Sequence, residues 1–212
     1  MVKIITIGRE FGSGGRELAK RLAEYLGFKY YDKEIVYEIA KNSDFNENYI
    51  ENVEKTLHMN FPYITGKTFS LFSANQKQAT SIFVLQEKII KSLAESGNCV
   101  FVGRCADIIL KEYNPFNVFV YANLESKMRR CKEKSDGNEN LSDKELIKLI
   151  KNVDKSRKRL SLLLGADSWG KKENYDLCIN TSYLTIKNIV PILAEYATKF
   201  FNDNSEITTE KN

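Results

Sequence analysis

The sequence predicts an α/β fold: a five-stranded parallel sheet with helices on both faces and a helical lid. Three observations predict it. Short, continuously apolar runs such as Ile4-Ile5-Thr6-Ile7 and Cys99-Val100-Phe101-Val102 read as strands buried on both faces. Segments of helical spacing separate these runs, and strands alternating with helices imply a parallel sheet. A glycine-rich turn, Gly8 to Arg16, joins the first run to the first helical segment.

The first strand is Ile4 to Ile7, stopped by Gly8. Leu18, Ala19, Leu22, Tyr25 and Leu26 then recur at helical spacing, and Gly27 ends that helix. Phe28 to Tyr31 is the second strand, followed by helices at about 33–41 and 46–58. Periodicity lapses over 60–77, where Pro62, Gly66 and several aromatics fall; this long loop reads as a functional segment, an acceptor-binding flap or a dimer contact, or as a variable surface excursion. A helix over about 80–96 carries Ile82, Leu85, Ile89, Ile90 and Leu93 on one side. Cys99 to Gly103 is the third strand, and a short helix passes through Ile108, Ile109 and Leu110. Val118 to Tyr121 is the fourth strand, with Asn123 placed to cap the next helix. Ser142 and Glu145 form a capping box ahead of a helix bearing Leu146, Leu149, Ile150 and Val153. Leu177 to Ile179 is the fifth strand. The last helix starts near Thr185, with a kink expected at Pro191. Residues 1–202 form one domain, with a helical insertion at about 33–78, a lid at about 135–172 and a flexible tail at 203–212.

The chain has 212 residues, enough for one domain with a real core. Its net charge of +4, from 32 basic and 28 acidic groups, is too small to argue for nucleic-acid binding. The four cysteines show no metal-ligand spacing, and with a single histidine both a zinc cluster and histidine-base chemistry are disfavoured. Unpaired thiols, no signal-peptide pattern and no apolar run near the ~20 residues of a membrane span point to a cytoplasmic protein with no membrane partner.

Ligands of open parallel sheets bind at the carboxyl ends of the strands, marked here by Gly8, Tyr31, Gly103 and Tyr121. The strand–glycine loop–helix order suits a phosphate chain. Gly12, Gly14 and Gly15 free the backbone to turn its N–H groups inward, Ser13 adds a hydroxyl, and the following helix adds its positive end. The usual phosphate loop reads G-x-x-x-x-G-K-[ST]. In one register Gly15 falls on its lysine and Arg16 on its hydroxyl residue; in the next, Arg16 falls on the lysine and Glu17 on the hydroxyl. An arginine neutralises phosphate charge bidentately, and without the hydroxyl magnesium is held by phosphates and water rather than by a direct protein ligand.

The run Ile4 to Glu17, then Tyr30-Tyr31-Asp32-Lys33-Glu34, Val102-Gly103-Arg104-Cys105-Ala106-Asp107 and Asn174 to Ser182 together resemble the cytidylate kinase-like family, relatives of the nucleoside-monophosphate kinases. The resemblance spans nearly the whole chain and is weakest over 46–77. It implies a P-loop NTPase-type three-layer fold and ATP-dependent phosphorylation of CMP, dCMP or a related small acceptor, with Mg2+. ATP phosphates would be bound by Gly12, Ser13, Gly14, Gly15, Arg16 and Glu17. The acceptor would meet Asp32, Arg104, Asp107, Asp154 and Arg157. Arg16, Asp32 and Arg157 would be catalytic, and Arg159 would belong to the lid. Arg129 and Arg130 match basic residues near that lid. Cys105 departs from the family's Gly-Arg-Asp run, and Ile150 stands where cytidylate kinases carry a further arginine. Nucleotide substrates are the expected partners, a homodimer is compatible, and nucleic acid is not expected. Two other readings stay open: a nucleotide-binding protein without turnover, since the lysine is replaced, and a P-loop kinase for another metabolite.

Overall fold

The computed structural model describes residues 2–32, 83–134 and 141–209, together with Ile35, Glu38 and Lys41. The helices expected at about 33–41 and 46–58 lie outside the described residues except at those three positions, as do the 60–77 stretch and the first part of the expected lid.

The described strands form one parallel sheet in the order β2–β3–β1–β4–β5. They are β1 (Ile4–Arg9), β2 (Lys29–Tyr31), β3 (Cys99–Val102), β4 (Phe116–Tyr121) and β5 (Leu177–Asn180). The described helices are α1 (Gly15–Leu26), α2 (83–95), α3 (Ala106–Ile109), α4 (Leu124–Lys134), α5 (Asp143–Leu163) and α6 (Ile186–Thr209).

Ile4, Ile5 and Ile7 are all buried, as a strand covered on both faces requires. On one face Ile5, Ile7, Val100, Val118 and Val120 pack against Leu18 and Leu22 of α1 and Leu193 of α6. On the other, Ile4, Cys99 and Phe101 pack against Ile89, Ile90 and Ala94 of α2. Order reverses on either side of β1, so the crevice opens where β1, β3 and β4 end.

Two strand boundaries differ from the sequence reading. β1 does not stop at Gly8: Gly8 and Arg9 still pair with Phe119 and Val120. β4 begins at Phe116, because the polar Asn117 that masked its start is satisfied within the sheet. Its Oδ1 accepts from the Thr6 hydroxyl at 2.5 Å, and its N–H donates to Asp176 at 2.7 Å. Phe116 is fully buried, stacks on Tyr196 of α6 at a centroid distance of 5.5 Å, and meets Phe200 in a tilted arrangement at 4.8 Å. The C-terminal helix also outruns expectation. It passes through Pro191 and continues to Thr209, where the sequence reading places a tail from residue 203.

Both expected caps form. Asn123 Oδ1 accepts from Ser126 N at 2.9 Å at the start of α4. At α5 the Ser142 Oγ accepts from Glu145 N at 3.4 Å while Glu145 accepts from Ser142 N at 2.9 Å. Ser142→Ala is expected to cost about 1 kcal/mol, a drop of roughly 2–4 °C in thermal unfolding for a domain of this size. An unchanged midpoint would show that α5 is held by its packing alone. Among the described residues no helix is long and apolar enough to cross a membrane.

Candidate active site

β1 hands the chain to the glycine loop at Arg9, and α1 takes over at Gly15 with left-handed Gly14 as its N-cap. The loop between them is tied down from several sides. Ser13 Oγ donates to Glu10 O at 2.8 Å. Thr181, fully buried just past β5, donates its hydroxyl to Ser13 O at 2.6 Å. Arg130 of α4 clamps Thr181 in turn, donating to Thr181 O at 2.5 Å. Arg129, its neighbour, faces out toward Glu133 at 3.8 Å.

The Glu10 carboxylate accepts from Ala122 N at 3.1 Å and pairs with Lys127 at 2.6 Å. Lys127 lies on α4, is nearly buried, and also pairs with Asp154 of α5 at 3.3 Å. The other Asp154 oxygen accepts from the loop N–H of Phe11 at 2.6 Å. One turn on, Arg157 donates to Arg9 O at 2.8 Å, stands 3.6 Å from Asp154, and lies 6.0 Å from the Phe11 ring centroid. Helix α5 therefore rests directly on the loop.

The electrostatics follow from this crowding. Burial lifts the Asp154 carboxyl above the usual carboxylate range, although Phe11 N–H, Lys127 and Arg157 pull the other way. Burial, and next the neighbouring Arg9, push Arg157 down to about 9. Burial lowers Arg9 too, with Asp32 opposing. Cations are thus concentrated beside backbone N–H groups and the positive end of α1, an arrangement that suits a polyanion such as a phosphate chain.

Of the residues singled out from sequence, Arg16 and Asp32 come together, at 2.5 Å, across the mouth of the crevice. Tyr30 donates to the same carboxylate at 3.4 Å. Burial works against the Arg16 charge, but Asp32 and Tyr30 outweigh it and raise its pKa. Glu17 turns to Arg21 and Lys134, at 3.0 and 3.1 Å. Gly103, Arg104 and Cys105 are three consecutive left-handed residues, with φ of 66°, 58° and 54°. Left-handed backbone costs a non-glycine residue about 1–2 kcal/mol, so the strain at this strand end marks a shape that the surrounding fold imposes. Gln86 of α2 supports it by donating to Arg104 O at 3.2 Å. Burial pushes the Cys105 thiol up to about 12, which keeps it a neutral packing group.

Asp107 does not join the Asp154–Arg157 group. It accepts backbone N–H groups in the first turn of α3, where burial raises its pKa. Arg159 is not at the loop either: two residues past Arg157, it lies about 200° further round α5. Ile150, which departs from the cytidylate kinase pattern, is buried at 2% exposure and serves the core.

Arg9, Glu10, Lys127 and Thr181 were not selected from sequence. Arg9 and Glu10 lie inside the quoted loop motif and Thr181 inside the late motif, so their signal was present. Lys127 had none, since α4 carries basic residues all round.

Strand order, central glycine loop and crevice define the class as a P-loop kinase fold. The sequence model of the cytidylate kinase-like family matches residues 4–183, and the chain belongs to that family. It is 26% identical to the cytidylate kinase of Protochlamydia amoebophila, over 91% of this chain and 95% of that protein. The crystal structure of an uncharacterised protein from Eubacterium ventriosum superposes with a TM-score of 0.65 at 26% identity, covering 92% of this chain and 98% of that one. Shikimate kinase from Bacteroides thetaiotaomicron shares the fold, with a TM-score of 0.51 at 14% identity, over 92% and 98% of the two chains.

Proposed function

We propose that this chain is a nucleoside-monophosphate kinase-like phosphotransferase that moves the γ-phosphoryl group of ATP onto CMP, dCMP or a related small acceptor. The observation that carries the reading is the gathering of Lys127 and Arg157 at the glycine loop that opens α1, with the Arg9 guanidinium lying against Gly103 at the end of β3. Phosphoryl transfer asks for positioning and for positive charge on the transferring group, and little else.

In this reading Gly12, Ser13, Gly14, Gly15, Arg16 and Glu17 hold the ATP phosphates. Asp32, Arg104 and Asp107 face the acceptor. Helix α5 is the core of the lid, bringing Asp154 and Arg157 to the loop and carrying Arg159 on a different face; Arg157, Arg16 and Asp32 act nearest the transferred group. Magnesium enters as the ATP complex, because the loop-side carboxylates Asp32 and Glu17 are already engaged by cations. When bound it neutralises phosphate charge, and no protein ligand for it is assigned.

A second reading, nucleotide binding without turnover, has one observation in its favour. The loop's lysine position falls on Gly15 or Arg16; Gly15, the first residue of α1, has no side chain, and Arg16 turns to Asp32. ADP release from ATP and magnesium, measured with CMP, dCMP, UMP, AMP and GMP, separates the readings. One monophosphate is expected to accelerate release, and Arg104→Ala to remove that acceleration. ATP binding with no release in any mixture would support the second reading; tight ATP binding with basal release that no monophosphate changes would point to a different small acceptor.

A further inference from the structure

The loop lacks the ammonium group that phosphate loops ordinarily carry, and its backbone leaves no room for one at the start of α1. A Cβ on Gly15 would lie 2.6 Å from the Arg9 Cβ and 3.2 Å from the Val120 Cβ. The next residue, Arg16, is drawn away to Asp32. With Arg16 shared with Asp32, the missing ammonium has to reach the loop from another element.

Asp154 marks where. One of its oxygens accepts a loop N–H, from Phe11 at 2.6 Å; the other meets the Lys127 ammonium at 3.3 Å; a guanidinium, Arg157, stands 3.6 Å away. A loop N–H, an ammonium and a guanidinium converging on one anionic group are the donors that a phosphate oxygen takes. The carboxylate fills this seat at a cost, since burial disfavours its charge. Lys127 is well anchored for the task. Its main chain is in contact with the loop: a Cβ on Gly12 would lie 2.9 Å from Lys127 O. Its ammonium is also held by Glu10, which is itself fixed by Ala122 N at 3.1 Å.

We propose that Lys127 supplies, from α4, the phosphate-binding ammonium that the loop lacks, and that Asp154 occupies the same seat until a nucleotide phosphate displaces it. Glu10 is then a positioning residue, keeping the ammonium at the loop when the Asp154 side chain leaves the seat. The inference rests on the phosphotransferase reading and extends it to a residue outside the loop.

The test is equilibrium binding of ATP and of inorganic tripolyphosphate, without acceptor, to the wild type and to Lys127→Met, Lys127→Arg and Asp154→Asn. Losing one charge-assisted contact should weaken binding of both ligands by about 10- to 100-fold in Lys127→Met. Lys127→Arg should recover most of it. Asp154→Asn should bind tripolyphosphate several-fold more tightly, because the competing charge is gone and the Lys127 ammonium is freed. A merely structural Lys127 would predict the reverse, since Asp154→Asn then strips a partner from a buried cation. Equal affinity in wild type and Lys127→Met overturns the inference alone. A wild type that binds neither ligand overturns the inference and the phosphotransferase reading together. If Lys127→Met does not fold, the Asp154→Asn arm decides: tighter binding supports the proposal, and unchanged or weaker binding overturns it.

Discussion

Gly12→Ala is expected to lower stability by about 2–5 kcal/mol and to remove ATP binding. Two costs add. Gly12 has a φ of +74°, a left-handed backbone that costs a residue with a Cβ about 1–2 kcal/mol. The new methyl would also lie 2.9 Å from Lys127 O and 3.1 Å from Lys127 Cα. Those are backbone atoms in the first turns of α4, so relief requires moving the helix, and overpacking of this kind costs about 1–3 kcal/mol. For a domain of this size the sum lowers the thermal midpoint by roughly 4–20 °C. The fitting control is Gly27→Ala, which shares a left-handed φ of +67° but opens onto free space. It should lose only the backbone cost and leave ATP binding alone. Equal midpoints for the two variants would mean that the loop and α4 do not pack as closely as their geometry indicates.

Arg157→Ala is expected to reduce kcat by about 10²- to 10³-fold, the scale seen when a preorganised donor to developing charge is removed. KM for ATP should rise much less. The guanidinium is anchored to Arg9 O at 2.8 Å and lies over Phe11, so it is already at the loop when α5 is docked. Stability should change little, because burial and Arg9 both disfavour the charge that is removed. That separation distinguishes a transfer role from a structural one. Arg157→Lys should recover only part of the rate, since an ammonium cannot reproduce the planar two-donor fork. Full activity in Arg157→Ala would remove α5 from the transfer step.

Much of the fold is legible in the chain because the signals are local. The buried strands announce themselves by unbroken apolar runs, and the helices by Leu18-Leu22 and Ile89-Leu93 spacing. The capping box at Ser142 and the cap at Asn123 are each set within four residues. Errors arose where a distant partner changed the meaning of a residue. The expected start of β4 at Val118 falls after Asn117, a polar residue that Thr6 satisfies inside the sheet. Gly8 reads as a strand end until Phe119 pairs with it.

The candidate site divides in the same way. Sequence alone determined the glycine loop, the order of the elements and the presence of Asp154 and Arg157 on one face of a helix, because spacing along the chain is sufficient for each. Only the tertiary structure decided which charges meet. It pairs Arg16 with Asp32, excludes a side chain at Gly15, and brings Lys127, one basic residue among many on α4, between Glu10 and Asp154. Those outcomes depend on how α4 and α5 pack across the ends of β1 and β4, and charges drawn together through space leave no periodic trace in the chain.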